Sequence, residues 1–366
     1  MVVVKQLELE RFIAIIAAPK QVQQLRASDW EILLWVLDTA RLEAWLNAQL
    51  EPIGLMDSLP ATVQTRLDSA MIYAERQQQQ IRYECEIISS LLSEKRITPL
   101  FLKGAAYVIS AEFNSAGRIC SDIDALVKRD ELDVAERQLK MNMWLSQDVD
   151  DYDDKYYREY AHEIPPMMQA ERGTVLDLHH NLFLPVSGRA PKIEQFWATT
   201  TTNDKGLSTL KPAAALVHSM IHLLMNEEVT YGLRDCLDMQ SIIDTHNSDS
   251  FWLEVSTLVV DNDFTYEYQL LLLLLDSLFG RETVKQQILA QQINADTKTR
   301  FWLWCYRKAV MPAHPQLCNP YAGVARAAVY CRGHSQKMPL ATLLKHSTVK
   351  LYKAARKALV GEADKE

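Results

Sequence analysis

The sequence predicts an α+β protein in which a small α/β unit lies between two helical regions. Apolar residues recur at the spacing of amphipathic helices from about residue 7 to residue 95 and again beyond Pro185. Between these regions, short apolar runs are separated by turn signals, a pattern typical of strands. We therefore expect a helical region over residues 1–95, an α/β core over residues 96–188 and a second helical region over residues 189–366.

The helical regions are predicted from their apolar spacing. Trp30, Leu33 and Leu37 share one helical face, and we interpret the QQQQ run at 77–80 as the solvated face of a long helix over 61–93. The leucine run at 270–275 is too short to cross a membrane, so we expect it in a buried helix. The amphipathic helices expected beyond the core are 213–226, 231–244, 251–260 and 268–279.

The predicted core begins with the strand ITPLFL at 97–102, which turns into a helix at Gly104. A second strand, CSDIDALV at 120–127, is followed by a polar helix from about 131 to 143. Two further runs, HEIPPMMQ and TVLDLHHNLF, flank a turn at Gly173, and this arrangement predicts a hairpin.

Composition narrows the classes of function. The chain of 366 residues is 48% hydrophobic and 23% charged with 11 glycines, which is typical of a helix-rich globular protein. A formal charge of −8 argues against a protein that mainly grips the phosphates of nucleic acid. The six cysteines are scattered without metal-ligand spacing, and the first residues lack the pattern of a secretory signal. We therefore expect a cytoplasmic protein with reduced thiols.

A pair of aspartates on the second predicted strand is the main candidate for chemistry. Because side chains alternate along a strand, Asp122 and Asp124 share one face, while Ile123, Ala125 and Val127 face the core. The two carboxylates lie about 6.5 to 7 Å apart along the strand, a separation that suits metals about 3.5 to 4 Å apart. Mg²⁺ prefers such oxygen ligands and relieves their mutual repulsion. A simpler interpretation, in which the aspartates cap a turn or face solvent, stays open.

Two other features favour a site at these aspartates. Gly104 lies where a strand gives way to a helix, so backbone N–H groups there can approach phosphate. In VLDLHHNL, Asp177 and His179 share one strand face while Leu176 and Leu178 share the other. A third carboxylate on a neighbouring strand would then meet the first two.

Four spaced motifs, LKGAAY, Arg118, SDIDALV and VLDLHHNL, resemble those of the uncharacterised nucleotidyltransferase family. That family resembles, within the DNA polymerase β-like superfamily, the lincosamide and aminoglycoside nucleotidyltransferases. The resemblance covers residues 97–185 best, and HSMIH and LRDCLDMQSII near 218–243 also look like the family's C-terminal part. It implies a small mixed-sheet core that moves a nucleoside monophosphate from a nucleoside triphosphate to an acceptor hydroxyl and releases pyrophosphate.

The resemblance also implies roles for individual residues. Asp122 and Asp124 would bind Mg²⁺ or Mn²⁺ ions that bridge the triphosphate, and Gly104 would line the triphosphate loop. Asp177 would be the third carboxylate and would help to deprotonate the acceptor. Ala105 departs from the pattern, since the wider superfamily usually has a serine after this glycine to contact a terminal phosphate.

Nearby polar residues are candidates to compensate for that departure. Lys103 and Arg118 carry cations suited to phosphate oxygens, and we include Ser121 with them in the nucleotide-binding set. The simpler interpretations are a surface lysine and a loop arginine paired with a nearby acid. The alternative function is a non-catalytic nucleotide-binding or protein-interaction module on the same scaffold.

Several histidines have helical or strand spacing that suggests weaker roles. His179 shares the face of Asp177 and, with His162 on the partner strand, is a candidate to orient substrate; a cross-strand hydrogen bond is the simpler role for His162. His218 and His222 have the spacing of a zinc pair, but Ser219 replaces the glutamate of a zinc protease, so we expect a packed pair.

Three charged segments are interpreted as surface features. Arg234, Asp235 and Asp238 predict an ion-paired helix face, and the acidic run at 148–157 predicts a solvated loop or lid. The C-terminal segment at 339–360 predicts a basic amphipathic helix, which either packs on an acidic face of its own chain or contacts a membrane surface.

Overall fold

The computed structural model describes residues 6–111, 113–146 and 160–337 of the chain. Helices dominate these residues, and a mixed sheet lies among them, so the predicted α+β class is confirmed. The α-helices are α1 (Leu9–Ala17), α2 (Ala27–Ala40), α3 (Glu43–Leu50), α4 (Ala61–Ser93), α5 (Lys103–Ile109), α6 (Leu132–Met141), α7 (Ile193–Ala198), α8 (Pro212–Met225), α9 (Gly232–His246), α10 (Asp249–Asp261), α11 (Thr265–Phe279), α12 (Glu282–Ala290), α13 (Thr297–Ala309) and α14 (Ala322–Lys337).

The sheet holds seven strands in the order β4-β5-β6-β3-β2-β8-β7. Strands β3 and β6 are parallel, as are β2 and β8, whereas the other neighbouring pairs are antiparallel. A separate parallel pair joins β1 to β9. The strands are β1 (Leu7–Glu8), β2 (Leu100–Leu102), β3 (Ile123–Leu126), β4 (Trp144–Ser146), β5 (Met167–Gln169), β6 (Val175–His179), β7 (Thr200–Thr202), β8 (Ser208–Leu210) and β9 (Leu317–Cys318).

The strands predicted from apolar runs are present, and the strands without such runs were missed. The hairpin of β5 and β6 pairs Met167 with Leu176, and Gly173 adopts a positive φ of 70° in its turn, as predicted. No strands were predicted beyond Pro185, yet β7 and β8 extend the sheet past β2. Their short segments are rich in threonine and serine, so their pairing depends on the neighbouring strand rather than on an apolar pattern of their own.

The two faces of the sheet pack into different hydrophobic cores. Ile123, Ala125 and Val127 lie in one core with Leu176 and Leu178 of the neighbouring strand, which confirms the predicted alternation. This core is covered by α4 and α6. The opposite face meets the larger core, which the N-terminal and C-terminal helices share. The aspartate-bearing face is therefore turned toward the core that the N-terminal and C-terminal helices share.

The leucine run is buried in α11, as predicted, with Leu270, Leu271 and Leu274 fully inaccessible. No helix among the residues that the structure describes is long and apolar enough to span a membrane. The acidic run at 148–157 and the basic segment at 339–360 lie outside the described residues, and so their predicted roles remain predictions.

Candidate active site

Parallel pairing of β3 with β6 brings two of the predicted aspartates together. Asp124 stands directly opposite Asp177 in the register of these strands, and it stands opposite Leu102 of β2 on its other side. Asp122 comes just before β3 and is partly exposed. The third carboxylate therefore neighbours the first pair, as the alternation of both strands predicts.

Asp124 is the most tightly held of the three aspartates. It is 5% exposed, and its Oδ1 accepts hydrogen bonds from Lys103 Nζ at 2.9 Å and from His179 Nε2 at 3.0 Å. Burial opposes ionisation, but the charges and hydrogen bonds of Lys103 and His179 outweigh it and hold the pKa of this carboxyl well below its ordinary value. Asp124 is consequently a carboxylate.

The pKa values of the other two aspartates are shifted in the opposite direction. Burial, followed by repulsion from Asp124, raises the pKa of Asp122 above its ordinary value. Burial, followed by repulsion from Asp124 and Glu163, raises the pKa of Asp177 to about 7. Asp177 Oδ1 is buried without a hydrogen-bond partner among the described residues. These carboxyls thus lie close enough to disfavour one another's charge.

This donor set fits a hard divalent cation. Its members offer carboxylate oxygens, the ligands that Mg²⁺ and Mn²⁺ prefer. Asp177 has a buried oxygen without a hydrogen-bond partner among the described residues. A bound cation would also favour the ionised forms of Asp122 and Asp177, which burial and repulsion disfavour. Asp124 already has one cationic neighbour in Lys103. Side chains of Asp122, Asp124 and Asp177 are therefore suited to hold such an ion.

A cavity of about 530 Å³ opens between the sheet and the helices α8 and α9. Asp122 and Asp124 line it, whereas Asp177 does not appear in its walls among the described residues. The walls also contain most of the residues predicted to bind nucleotide, namely Lys103, Gly104, Arg118 and Ser121. Ala105 instead lies fully buried in the core beneath the sheet. The cavity thus places cations and carboxylates on one surface.

A family model described as an uncharacterised nucleotidyltransferase matches residues 26–280, which include the whole sheet and the helices around this cavity. The chain belongs to this family. Its activity is nucleotidyl transfer in general, and it is a transferase. No curated protein matches the chain. Family membership agrees with the resemblance in the sequence motifs, while kinship to the lincosamide enzymes stays a prediction.

Gly104 of this nucleotidyltransferase is required by packing. A Cβ on Gly104 would lie 2.9 Å from Cys120 Sγ. Cys120 belongs to a loop that two glutamines of α4 hold: Gln77 bonds both backbone groups of Cys120, and Gln78 Nε2 donates to the carbonyls of Ser115 at 2.7 Å and Arg118 at 2.9 Å. The interpretation of the QQQQ run as a solvated face was therefore wrong for its first two residues. A helix face that looks polar in sequence binds a polar loop here.

We expect Gly104→Ala to lower the free energy of unfolding by about 1–3 kcal/mol, because the new methyl group overlaps the Cys120 sulfur. Removing that sulfur with Cys120→Ala in the same chain should restore most of the loss. Urea unfolding of both variants measures this. Equal destabilisation in the single and double variants would show that the glycine is needed for another reason.

Arg118 lines the cavity and is also paired with an acid. It is 8% exposed; Nε donates to Asp238 Oδ2 at 2.8 Å, and Nη1 donates to the Ile119 carbonyl at 2.5 Å. Burial opposes its charge, but Asp238 more than compensates and raises the pKa of the guanidinium. The simpler interpretation, an arginine paired with a nearby acid, is therefore observed. It does not conflict with a phosphate role, since the same side chain faces the cavity.

Three residues in or next to the cavity wall, Arg41, Arg234 and Asp238, were not predicted to belong to the site. Arg41 donates to Ser121 Oγ at 2.7 Å, and its guanidinium lies 4.5 Å from the ring centroid of Tyr231. The guanidinium of Arg234 lies 4.8 Å from the centroid of the same ring.

The predicted ion-paired face of α9 forms only in part: Arg234 pairs with Asp235, whereas Asp238 pairs with Arg118 outside the helix. Arg234 and Asp238 also face the cavity. In the sequence, the i,i+4 spacing of Arg234 and Asp238 was the only pattern that pointed to these residues, and no pattern pointed to Arg41.

The histidine pair of α8 is packed, as expected. His218 is 3% exposed, and burial lowers its pKa to about 3. Burial likewise holds the pKa of His222 well below its ordinary value, and His222 lines the cavity. Both rings are neutral at ordinary pH. They therefore add no charge near the Asp124–Lys103 ion pair, whose two charges act on both rings.

His162 and His179 lie together behind the aspartates. Their ring centroids are 5.2 Å apart, and His179 Nδ1 is 3.4 Å from Glu163 Oε2. The His162 carbonyl accepts the backbone N–H of His180 at 2.8 Å, which is the cross-strand bond expected as its simpler role. Since His179 already bonds Asp124, its role as a substrate-orienting residue stays a prediction.

Proposed function

We propose that this protein transfers a nucleoside monophosphate from a nucleoside triphosphate to an acceptor hydroxyl and releases pyrophosphate. The observation that carries the proposal is the register of β3 and β6, which sets Asp124 beside Asp177, with Asp122 at the same end. Family membership supports nucleotidyl transfer in general. The triphosphate donor and the hydroxyl acceptor are part of this proposal.

Asp122, Asp124 and Asp177 would hold Mg²⁺ or Mn²⁺ in this proposal. When bound, such an ion neutralises charge on the triphosphate and orients its oxygens. Side chains of the protein orient these ligands. Lys103 and His179 fix the Asp124 carboxylate in place through two hydrogen bonds to one oxygen, so the carboxylate is oriented before substrate binds.

Cations on the cavity wall would bind the triphosphate. Lys103, Arg118 and Arg234 line one surface with Gly104, which leaves the start of α5 accessible. Ala105 stands where the wider superfamily usually has a serine, and its side chain is in the core, so in this proposal these cations make the phosphate contacts instead. Asp177, whose pKa is about 7, is suited to take a proton from the acceptor hydroxyl near neutral pH.

Calorimetry with the four common nucleoside triphosphates, with and without Mg²⁺, tests binding, and pyrophosphate release with a panel of hydroxyl acceptors tests turnover. We expect Mg²⁺-dependent binding followed by pyrophosphate release with at least one acceptor. Triphosphate binding without turnover across the panel would favour the non-catalytic nucleotide-binding module. Absence of triphosphate binding would contradict the proposal.

Arg118→Ala is expected to weaken triphosphate binding by about 10- to 100-fold, because one charge-assisted hydrogen bond to phosphate is lost. The variant also leaves Asp238 buried without its partner, a change that typically lowers stability by about 3–5 kcal/mol. Calorimetry must therefore be accompanied by thermal unfolding.

Two further variants separate these effects. Asp238→Asn breaks the same ion pair but leaves Arg118, so it should lose stability and keep triphosphate affinity. Arg137→Ala removes an exposed arginine from α6 and should change neither. Wild-type affinity in a folded Arg118→Ala protein would remove Arg118 from the nucleotide site.

A further inference from the structure

Behind the aspartates, a second set of side chains has the composition of a transition-metal site. Among the residues that the structure describes, His162, Glu163 and His179 are the group whose potential ligand atoms all lie within 4.8 Å of one another. Two imidazoles and one carboxylate form a ligand set used for open zinc sites, unlike the all-carboxylate set in front of them.

The distances suit a small ion. His179 Nδ1 is 3.4 Å from Glu163 Oε2, and His162 Nε2 is 3.8 Å from the same oxygen. Tetrahedral zinc with bonds of about 2.0–2.1 Å separates its ligand atoms by about 3.3 Å. The His179–Glu163 pair already has this spacing, and the His162–Glu163 pair needs to close by about half an ångström. The third pair, the ligand nitrogens of the two imidazoles, lies within 4.8 Å.

Hydrogen bonding determines which nitrogen of His179 is available. Nε2 lies 3.0 Å from an oxygen of Asp124, which also accepts from Lys103, so Nε2 must carry the proton. Nδ1 is then the nitrogen that faces the Glu163 carboxylate, and no described residue gives Nδ1 a hydrogen bond. This contact between Nδ1 and a carboxylate oxygen is completed either by a proton on Nδ1 or by a metal ion between the two atoms. A ligating histidine whose other N–H bonds a carboxylate is the usual arrangement at zinc sites.

The cluster is also accessible. The side chain of His179 is only 3% exposed, whereas those of His162 and Glu163 are 16% and 25% exposed. An ion can thus arrive from the solvent side and meet a ligand whose ring is already fixed by Asp124. Three protein ligands leave one position for water, as in open zinc sites.

We propose that His162, Glu163 and His179 form a site for a Zn²⁺-class divalent ion, separate from the carboxylate set of Asp122, Asp124 and Asp177. The ion sits on the far side of His179 from Asp124 and fixes the ring that orients this carboxylate. The inference goes beyond nucleotidyl transfer, because ion binding is measurable without nucleotide or acceptor.

Equilibrium dialysis of the full chain without an affinity tag tests the site, with bound zinc measured by mass spectrometry. Excess Mg²⁺ is present throughout to occupy hard carboxylate sites. Every protein carries Cys331→Ser, because an exposed free thiol can bind zinc independently of the proposed site. We expect one equivalent of Zn²⁺, and a loss of affinity of about 100-fold or more in His162→Ala and in Glu163→Gln.

Matched variants make the outcome specific. Glu171→Gln changes an exposed glutamate of the adjacent hairpin and should keep one equivalent. Asp122→Asn alters the carboxylate set and should also keep zinc, so failure of the proposed transfer function would not affect this result. Thermal unfolding confirms that each variant folds. Undiminished zinc binding in both His162→Ala and Glu163→Gln, or no zinc binding in the wild type, would overturn the site. The contact between His179 Nδ1 and Glu163 would then be completed by a proton on Nδ1.

Discussion

Replacing Asp122 and Asp124 together with asparagine should lower Mg²⁺-dependent pyrophosphate release by at least about 10³-fold. The reason is that removing one preorganised electrostatic group from a transition state already costs about 10²- to 10³-fold. Mg²⁺-dependent triphosphate binding should be lost as well, since two of the three carboxylates lose their charge. A coupled pyrophosphate assay and calorimetry provide the two measurements.

The buried ion pair makes the design of this test important. Asparagine at 124 removes the counter-charge of Lys103, so the double variant is less stable for a reason unrelated to catalysis. Asp122→Asn alone avoids this problem, because Asp122 is partly exposed and makes no ion pair with Lys103 in the described residues. Asp204→Asn, in an exposed turn, is the control. Turnover at the wild-type level in a folded double variant would refute the assignment.

Asp177→Asn should reduce turnover by about 10²- to 10⁴-fold, the range expected for loss of a general base. Unlike most active-site changes that remove a hydrogen-bonded group, it should also stabilise the protein above neutral pH. Burial and neighbouring carboxylates raise the pKa of Asp177 from 3.8 to about 7. Forcing this group to ionise costs up to about 4 kcal/mol, which asparagine avoids.

The sign of the pH dependence follows from the raised pKa. A protonated Asp177 stabilises the fold fully below the unfolded pKa of 3.8, and this contribution is lost as pH rises through about 7. The stability advantage of Asp177→Asn over the wild type should therefore be small at pH 4 and largest above pH 7. Urea unfolding in a chelating buffer at several pH values measures it, with the exposed Asp130→Asn as control. A lower stability of Asp177→Asn at pH 8 would show that Asp177 is a structural residue.

The main strands of the α/β core, and the face on which each side chain lies, were predictable from residue patterns. Alternation in SDIDALV and VLDLHHNL separates polar from apolar side chains on each strand, because successive strand side chains point to opposite faces. Those local rules are independent of the rest of the chain. They therefore predicted both the hairpin at Gly173 and the shared face of Asp122 and Asp124.

Other features had no local signature. The edge strands β4 and β7 and the inner strand β8 are short and lack an apolar run, so their formation depends on pairing with neighbouring strands. Gln77 and Gln78 resemble a solvated face because glutamine has the same polarity whether it meets water or a loop backbone. The domain limits at 95 and 188 stay a prediction.

The sequence alone determines the helix-rich α+β class through its apolar spacing. It also determines that the aspartates lie on the polar face of two strands, because strand alternation acts over only a few residues. Tertiary structure alone decided that Lys103 and His179 both bond Asp124, that Asp238 pairs with Arg118, and that Arg41 and Arg234 flank Tyr231. Each of these contacts joins residues far apart in the chain. Charge and hydrogen-bond partners of that kind depend on packing between elements, which no local pattern encodes.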